Sequence, residues 1–390
     1  MGIGVIGAGV IGRTHLAALA RDAGCRIVGL ADPTPAAAEV AGEFGVPLVA
    51  DHRDLLATPG LDAVIVATPT ALHVPIGLDA IAAGMPALIE KPVAPTVAQA
   101  LTLAAAAERA GVPVLVGHHR RHNPIVAAAR AAVRSGRLGR LTTVTALWTL
   151  RKPDGYYDIA WRREPGGGPV LTNLIHDVDV LRFVCGEIDT VQAIASSAGR
   201  GLPITDTAAV ALRFASGAVG TITLSDAVAA PWAWDLTAGE NPAFGRTDEQ
   251  CYLLAGTAGS LAVPGLRWWR YPDPDAATAG WHRTLVEERL PVVRADPYAR
   301  QLAHFRAVVR GEATPLVGVR DATATLAATL AVEEAAATGR PVDLAPPAER
   351  PAPVDPGPVD PVPVDPVPVD AGPVDPGPVD AEPVRAARSR

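Results

Sequence analysis

The sequence predicts an α/β protein in which a doubly wound parallel sheet is followed by an α+β region with a mostly antiparallel sheet. Residues 1–119 alternate short β-branched apolar runs with Ala-rich helical segments, a spacing typical of parallel sheets. After about residue 124, strand-like runs separated by turn signals such as Ser216-Gly217 indicate antiparallel pairing. The 390 residues are enough for two domains with cores of their own.

The first region is expected to span residues 1–120, with strands and helices in strict alternation. Its predicted strands are Ile3–Ile6, Arg26–Ala31, Ala63–Ala67, Ala87–Glu90 and Val114–Val116, and its predicted helices lie at about 12–22, 35–43, 73–83 and 96–110. Right-handed crossovers between parallel strands would place these helices on both faces of the sheet.

The second region is expected to span residues 121–344. Its predicted strands are Leu141–Leu150, Thr190–Ser196, Ala208–Phe214, Val219–Ala227, Trp232–Ala238, Leu253–Ala255 and Ser260–Val263, with helices at about 124–135, 171–184, 298–310 and 319–338. Residues 345–390 repeat Pro-Val-Asp and lack aromatic side chains, which predicts a disordered tail with polyproline bias. A recruitment motif for a proline-reading partner is the alternative for this tail.

Composition and charge exclude several function classes. A formal net charge of −7 argues against nucleic-acid binding, and no apolar run is long enough to span a bilayer. The N-terminal apolar stretch follows no basic segment, so it is expected to be a first strand and not a signal peptide. The three cysteines form no paired motif, which predicts neither a disulfide framework nor a metal site and favours a cytoplasmic location.

The basic residues are nearly all arginine, with lysine only at Lys91 and Lys152. A buried lysine can lose its proton, whereas an arginine effectively cannot. Lys91, within Glu90-Lys91-Pro92, is therefore a candidate for chemistry. An ordinary surface position is the alternative for Lys91 and equally for Lys152.

A G-x-G-x-x-G motif, Gly7 to Gly12, directly follows the first strand and opens a helix. Gly7 permits the tight turn, Gly9 lets the backbone approach a pyrophosphate, and Gly12 allows close packing of helix and strand. Ala8, Val10 and Ile11 complete the loop, whose N–H groups would face the phosphates. The pattern predicts a dinucleotide-binding Rossmann domain.

Asp32 follows Gly12 by twenty residues, at the end of the second strand. A carboxylate there would accept hydrogen bonds from ribose hydroxyls and repel a 2′-phosphate. Residues 33–38 supply no arginine or lysine to neutralise such a phosphate, so NAD is expected in preference to NADP. FAD would use the same fingerprint, and a turn or helix-capping role is the alternative for Asp32.

Four segments resemble the Gfo/Idh/MocA oxidoreductases, a family that includes inositol and glucose–fructose dehydrogenases. They are GAGVIGRTH (7–15), ATPTALHVPIGLDAIAAGMPALIEKP (67–92), GHHRRHNP (117–124) and GGGPVLTNLIHDVDVLR (166–182), in family order. The resemblance implies a Rossmann domain followed by a substrate-binding and oligomerisation domain with a large open sheet. It also implies a homodimer or homotetramer formed through that sheet.

The resemblance assigns roles to particular side chains. Lys91 would bind the reacting substrate oxygen, and His176 would be the catalytic histidine that exchanges the proton. The implied cofactor contacts besides the glycine loop and Asp32 are Thr68, Pro69, His73, Glu90, Lys91, Trp161 and Arg162. The implied substrate contacts are His119 and Arg120, to which the loop residue Tyr157 is added as a wall of the site.

One position departs from the family pattern. Many members carry aspartate four residues before the histidine, where this chain has Thr172, followed by Asn173. A hydroxyl cannot ionise, so we expect Thr172 and Asn173 to bind substrate hydroxyls while Lys91 and His176 handle the proton alone. Further along, the polar and aromatic residues 232–242 suit either a carbohydrate site or a sheet packed on a neighbour.

These observations predict an NAD-dependent dehydrogenase or ketoreductase acting on a small polyhydroxylated substrate, namely a sugar, cyclitol or sugar acid. One alternative retains NAD and catalyses a redox-neutral reaction, such as epimerisation or glycoside cleavage. The other is a non-catalytic NAD(H)-binding regulatory protein.

Overall fold

Six parallel strands form the first sheet, so the predicted parallel sheet is confirmed with one strand more than the five predicted. They are β1 (Gly2–Ile6), β2 (Arg26–Ala31), β3 (Leu48–Val49), β4 (Ala63–Val66), β5 (Ala87–Ile89) and β6 (Val114–Val116). Their spatial order is β3-β2-β1-β4-β5-β6, and every neighbouring pair is parallel. The direction of strand order changes between β1 and β4, where open α/β sheets bind their ligands.

Helices connect these strands: α1 (Val10–Arg21), α2 (Ala37–Phe44), α3 (His52–Leu56), α4 (His73–Ala82) and α5 (Val97–Ala110). Strand β1 is buried along its whole length, as expected for a strand with layers on both faces. The short pair β3 and α3 is absent from the sequence prediction because two residues of strand and five of helix give too little periodicity to detect.

The second sheet contains nine strands: β7 (Leu141–Thr149), β8 (Ile188–Ser196), β9 (Thr207–Phe214), β10 (Val219–Ser225), β11 (Tyr252–Gly256), β12 (Gly259–Val263), β13 (Arg267–Arg270), β14 (Val286–Arg289) and β15 (Val342–Asp343). Their order is β14-β13-β12-β11-β7-β10-β9-β8-β15. Only the central β7–β10 pair is parallel among these neighbours, so the predicted mostly antiparallel sheet is confirmed.

Five helices accompany this sheet: α6 (Pro124–Arg134), α7 (Ile175–Cys185), α8 (Trp234–Thr237), α9 (Pro297–Val309) and α10 (Val319–Thr338). A π-helical turn, Val170–Leu174, leads into α7. Helices α9 and α10 return to the first sheet, because Phe305 belongs to the core around β1 and Leu326 to the core between β4 and α5. Arg306 of α9 also pairs with Asp22 beside α1 at 2.7 Å.

The predicted strand Trp232–Ala238 is wrong, since residues 234–237 form the short helix α8. The sequence Trp-Ala-Trp-Asp alternates as a strand would. In the structure, the buried Trp234 indole donates a hydrogen bond to Glu240 at 2.8 Å and stabilises a turn between these two residues. Strands β13 and β14 were not predicted; both are short, and their Arg and Glu side chains pair across the strands instead of alternating with apolar residues.

The computed structural model describes residues 1–273 and 280–344, so the predicted Pro-Val-Asp tail lies outside the described residues. Both sheets belong to one compact unit. Within those two ranges, no helix combines the length and apolar character that a membrane span requires. The domain boundary at residue 120 stays a prediction, and the chain passes from the first sheet to the second between β6 and β7.

Candidate active site

Candidate residues follow the carboxyl ends of five parallel strands. Gly7 follows β1, Asp32 follows β2, Thr68 comes shortly after β4, Glu90 follows β5 and His119 comes shortly after β6. Because these strands run in the same direction, their carboxyl ends lie along one edge of the sheet. The candidate site is therefore assembled by the topology from segments far apart in the sequence.

The glycine loop between β1 and α1 has the shape that a pyrophosphate requires. Gly7 has a φ of 104°, and a Cβ on Gly12 would lie 1.9 Å from the Gly7 carbonyl oxygen. A Cβ on Gly9 would meet no atom within 4 Å, and the neighbouring Val10 is 77% exposed. This open space beside the first turn of α1 fits the phosphates of a dinucleotide.

Asp32 lies against this loop. Its Oδ2 accepts a hydrogen bond from the Ala8 N–H at 2.8 Å, and its Oδ1 accepts one from the Thr34 N–H at 2.8 Å. Partial burial favours the neutral acid, but the hydrogen bonds from Thr34 and Ala8 outweigh it and lower the pKa of Asp32. The carboxylate is therefore charged and fixed beside the position predicted for the ribose.

The segment after β4 places Thr68 and Pro69 ahead of helix α4. Thr68 Oγ1 is enclosed and has no hydrogen-bond partner among the described residues, as expected of a group that awaits a ligand. The His73 ring contacts the carbonyl oxygens of Thr68 at 2.8 Å and Pro92 at 2.7 Å. His73 thus connects the segments after β4 and β5, and both of its ring nitrogens contact the protein backbone.

Glu90 and Lys91, after β5, form the buried end of the cleft. Glu90 Oε1 lies 2.8 Å from His15 Nε2 of α1. Burial alone would raise the pKa of Glu90, but the hydrogen bond with His15 and the nearby Lys91 charge lower it. Lys91 Nζ donates to the Thr172 carbonyl oxygen at 3.1 Å, within the π turn before α7.

His176 lies one helical turn beyond Thr172, near the start of α7. Its Nδ1 is enclosed without a hydrogen-bond partner in the described part of the chain, and its ring stands edge-on to His119 with centroids 5.2 Å apart. Burial, together with the Lys91 and Arg120 charges, lowers the pKa of His176 well below its usual value. The imidazole is therefore neutral near pH 7 and able to accept a proton.

His119 is held from two sides. Its Nε2 lies 2.7 Å from Glu240 Oε1, and its ring stacks on Tyr298 with centroids 4.5 Å apart. Glu240 also accepts hydrogen bonds from Asn123 at 2.9 Å and from Trp234 at 2.8 Å. Burial opposes the charge, but His119 and the other partners lower the pKa of Glu240 to about 2.

Arg120 is enclosed by carboxylates and not open to the cleft. Its guanidinium donates to Asp177 at 3.2 Å and to Asp235 at 3.4 Å, and only 3% of the residue is exposed. Burial raises the pKa of Asp177 to about 6, although Arg120 and Tyr252 both stabilise the carboxylate. The Arg120 guanidinium also lies over the Trp234 ring, 5.5 Å from its centroid, and its charge contributes to the lowered pKa of His176.

Comparison with known proteins agrees with this geometry. Residues 1–118 match a family model described as an oxidoreductase family with an NAD-binding Rossmann fold, and residues 126–262 match the GFO/IDH/MocA C-terminal domain. The chain belongs to the Gfo/Idh/MocA family. It is thereby an oxidoreductase with an NAD-binding domain, and NAD fits the loop geometry described above.

Similar proteins include a 1,5-anhydro-D-fructose reductase from Ensifer adhaerens, 30% identical over 87% of this chain and 98% of the relative. A scyllo-inositol 2-dehydrogenase (NAD(+)) from Bacillus subtilis is 27% identical over 87% of this chain and 95% of its own length. The solved WlbA dehydrogenase of Chromobacterium violaceum, in complex with NADH and UDP-GlcNAcA, is 25% identical with a TM-score of 0.72, covering 88% of this chain and 96% of that one.

Lys152, which the sequence left as compatible with a surface position, is buried next to the candidate site. It follows β7, is 8% exposed, and donates from Nζ to Asn173 Oδ1 at 2.7 Å. Asp226, which follows β10, lies 3.7 Å away. The rarity of lysine was the available signal, because both lysines of this arginine-rich chain contact the stretch Thr172-Asn173.

The loop between β7 and α7 contains the remaining predicted residues. Tyr157 is buried and its hydroxyl donates to Asp226, so this oxygen is engaged away from the open cleft. Arg162 donates to the Tyr156 carbonyl at 2.8 Å and stacks over the Tyr156 ring, while Trp161 is 50% exposed. Among the predicted residues of this loop, Trp161 has the largest exposed surface.

The structure thus brings most predicted residues to two adjoining places. The first is the glycine loop, Gly7 to Gly12, together with Asp32, which we call the dinucleotide cradle. Lys91, Thr172 and His176 meet at the buried end of the cleft, with His119 against His176. The Thr172 hydroxyl lies 2.9 Å from the Gly168 carbonyl and 2.8 Å from Asn173 Oδ1, so its contacts are within the protein.

Proposed function

We propose that this chain is an NAD-dependent dehydrogenase or ketoreductase that acts on a carbinol carbon of a small polyhydroxylated substrate, in the cytoplasm. The observation that carries the proposal is the half-buried Lys91 ammonium beside a neutral His176, at the end of a dinucleotide cradle. Relatives named for anhydrofructose and scyllo-inositol support a sugar or a cyclitol as the substrate, and a sugar acid is the third member of the proposed class.

The residues that would hold NAD divide into two groups. Gly7, Ala8, Gly9, Val10, Ile11 and Asp32 would bind the adenosine and pyrophosphate half. Thr68, Pro69, Glu90, Trp161 and Arg162 would border the nicotinamide half, with His73 positioning the segments after β4 and β5. Bound NAD supplies the acceptor for a hydride from the substrate carbon, or the donor in the reverse direction.

Lys91 and His176 would handle the charge that develops on the substrate oxygen. During oxidation the carbinol carbon loses a hydride, its hydroxyl loses a proton, and the C–O bond becomes a carbonyl. His176, neutral near pH 7, accepts that proton at a ring nitrogen. Lys91, whose pKa burial lowers, binds the oxygen and stabilises negative charge on it.

The substrate would contact His119 and Asn173 directly. His119 is fixed by Glu240 and Tyr298, and Asn173 lies in the half-buried stretch between the two lysines. Arg120 and Tyr157 would support the site without contacting the substrate, because their polar groups are hydrogen-bonded to buried carboxylates. Thr172 accepts a hydrogen bond from Lys91 at its backbone carbonyl oxygen.

The test is NADH formation from a panel of sugars, inositols and sugar acids, with NAD and NADP in parallel. We expect turnover with NAD for one substrate class. Lys91→Ala and His176→Ala should each lower kcat by about 10²- to 10⁴-fold, because general acid–base groups contribute that much. Both variants should still bind NADH.

His282→Ala is the matched control, since His282 is exposed. Equal activity of the Lys91→Ala and His176→Ala variants and wild type would refute the assigned roles. Wild-type protein that binds NADH but oxidises nothing in the panel would contradict net dehydrogenation. Turnover without added NAD would then support redox-neutral chemistry with retained cofactor.

A further inference from the structure

Lys152 is a buried cation that the proton transfer described above does not use. It lies three residues beyond the end of β7, and its backbone N–H donates to the Asp226 carbonyl at 2.9 Å, just past the point where the parallel strands β7 and β10 end together. Its ammonium and that of Lys91 both contact Thr172-Asn173, one through the Asn173 side chain and the other through the Thr172 carbonyl. Lys152 therefore borders the same cleft as the proposed reacting group.

The Lys152 ammonium has few partners for its three donors. It donates to Asn173 Oδ1 at 2.7 Å, lies 3.7 Å from Asp226 Oδ2, and stands over the rings of Tyr156 and Trp148 at 4.4 and 5.6 Å. An ammonium carries three N–H donors and no acceptor. Because Lys152 forms one strong hydrogen bond and two ring contacts, N–H donors of its ammonium remain for hydrogen bonds to a ligand.

Asp226 compensates this charge only in part, because it has closer partners. Arg200 Nε donates to Asp226 Oδ1 at 2.9 Å, and the Tyr157 hydroxyl donates to Oδ2. Burial is the largest influence on Lys152 and lowers its pKa to about 8; Asp226 and Asp235 act in the raising direction, and Arg200 in the lowering direction. The cation is thus desolvated without a full counter-charge.

The contacted stretch cannot supply that counter-charge, since neither Thr172 nor Asn173 ionises. A buried charge is stabilised when a group of opposite charge lies next to it and forms hydrogen bonds of good geometry with it. A substrate hydroxyl would satisfy a donor but leave the charge uncompensated. A substrate carboxylate would satisfy both.

We propose that Lys152 is a specificity-determining residue that binds a carboxylate of the substrate, so that the enzyme prefers sugar acids to neutral sugars and cyclitols. This inference rests on the proposed function, because it names the substrate class of the same cleft. Lys91 then holds the reacting oxygen and Lys152 the carboxylate, and Asn173 links their two contact points. A substrate with both groups would span the cleft from one lysine to the other.

The experiment compares matched pairs that differ in one carboxylate: D-glucuronate with D-glucose, and D-gluconate with D-glucitol. We expect wild type to have the higher kcat/KM for the acid of a pair. Lys152→Met should lower that value about 30-fold or more, the cost of removing one partner of a buried charge pair. The value for the neutral partner should fall much less, since it loses only the support that Lys152 gives to Asn173. Lys152→Arg should keep part of the preference because it keeps the charge.

Arg151→Met is the matched control, since Arg151 is the adjacent cation and its side chain is 60% exposed. It should leave the preference for acids unchanged. The pH profile gives a second readout: kcat/KM for the acid should fall as pH rises past about 8, because Lys152 loses its proton and its charge. Lys152→Met should lack this component of the decline.

Equal kcat/KM for acid and neutral partners in wild type, or an equal loss for both in Lys152→Met, would overturn the proposal. Calorimetric titration of the NADH complex with D-glucuronate runs in parallel. If wild type oxidises nothing in the panel, the proposed function fails, while acid binding that Lys152→Met abolishes still supports the carboxylate site. Binding that is unchanged in Lys152→Met, or acids that fail to bind wild type, would refute it.

Discussion

Glu90 and Lys91 adjoin in the chain, yet their side chains bond to different parts of the molecule. Glu90 contacts His15 on the first helix, whereas Lys91 reaches the Thr172 carbonyl before α7. Their mutual attraction opposes the burial that would neutralise Lys91. At the residue scale, the half-buried Lys91 ammonium lies beside a carboxylate that is already hydrogen-bonded to His15, so the ammonium is available to a substrate oxygen.

Asp32 allows a prediction about cofactor choice at the same scale. Asp32→Ala should raise the KM for NAD roughly 10- to 100-fold, because hydrogen bonds to a charged carboxylate are lost. The KM for NADP should rise less or fall, since the repulsion of a 2′-phosphate disappears. Steady-state kinetics with both cofactors measures the ratio.

Asp54→Ala, at an exposed position in α3, is the control and should change neither value. An unchanged ratio of the KM values for NAD and NADP in Asp32→Ala would show that this carboxylate does not discriminate between the two cofactors at the ribose.

At the scale of elements, the junction between β1 and α1 gives a second prediction. A Cβ on Gly12 would lie 1.9 Å from the Gly7 carbonyl oxygen, which is backbone and cannot swing aside. Gly12→Ala should therefore destabilise the protein by about 1–3 kcal/mol and weaken NADH binding, as denaturant unfolding and fluorescence titration would measure.

Gly42→Ala is the matched control, because Gly42 lies in helix α2 and a Cβ there would meet no atom within 4 Å. Alanine at that position should stabilise by about 0.5–1 kcal/mol. If both variants behaved alike, the close approach of α1 to the glycine loop would be refuted.

Periodic elements were predictable from the sequence, and long-range contacts were not. The parallel strands other than β3, together with α1, α4 and α5, follow from the alternation of strand and helix patterns. The strand predicted over residues 234–237 is a helix in the structure, where the Trp234 indole donates a hydrogen bond to Glu240. No local sequence pattern predicts that contact. Lys152 lies near Asn173 only after the chain folds. Residue identity therefore predicted candidates, while their grouping required the structure.

At the scale of the whole molecule, the candidate cleft lies where the parallel sheet meets the segments around the second sheet. Helix α9 comes after most of the second sheet but packs against the first, with Phe305 in its core, whereas α10 packs against both sheets, with Leu326 in a core of the first and Val332 in the core of the second. The homodimer or homotetramer through the second sheet stays a prediction. Ile194, Val219 and Leu253 are exposed apolar residues on strands of that sheet.

The proposed function requires direct hydride transfer between a carbinol carbon and NAD. The decisive measurement uses the substrate found in the panel, with deuterium in place of hydrogen on that carbon, and mass spectrometry of the NADH formed. We expect one deuterium per NADH, a slower rate than with hydrogen, and no labelled product from Lys91→Ala or His176→Ala on the same timescale. NADH without deuterium, or deuterium released to water, would contradict it.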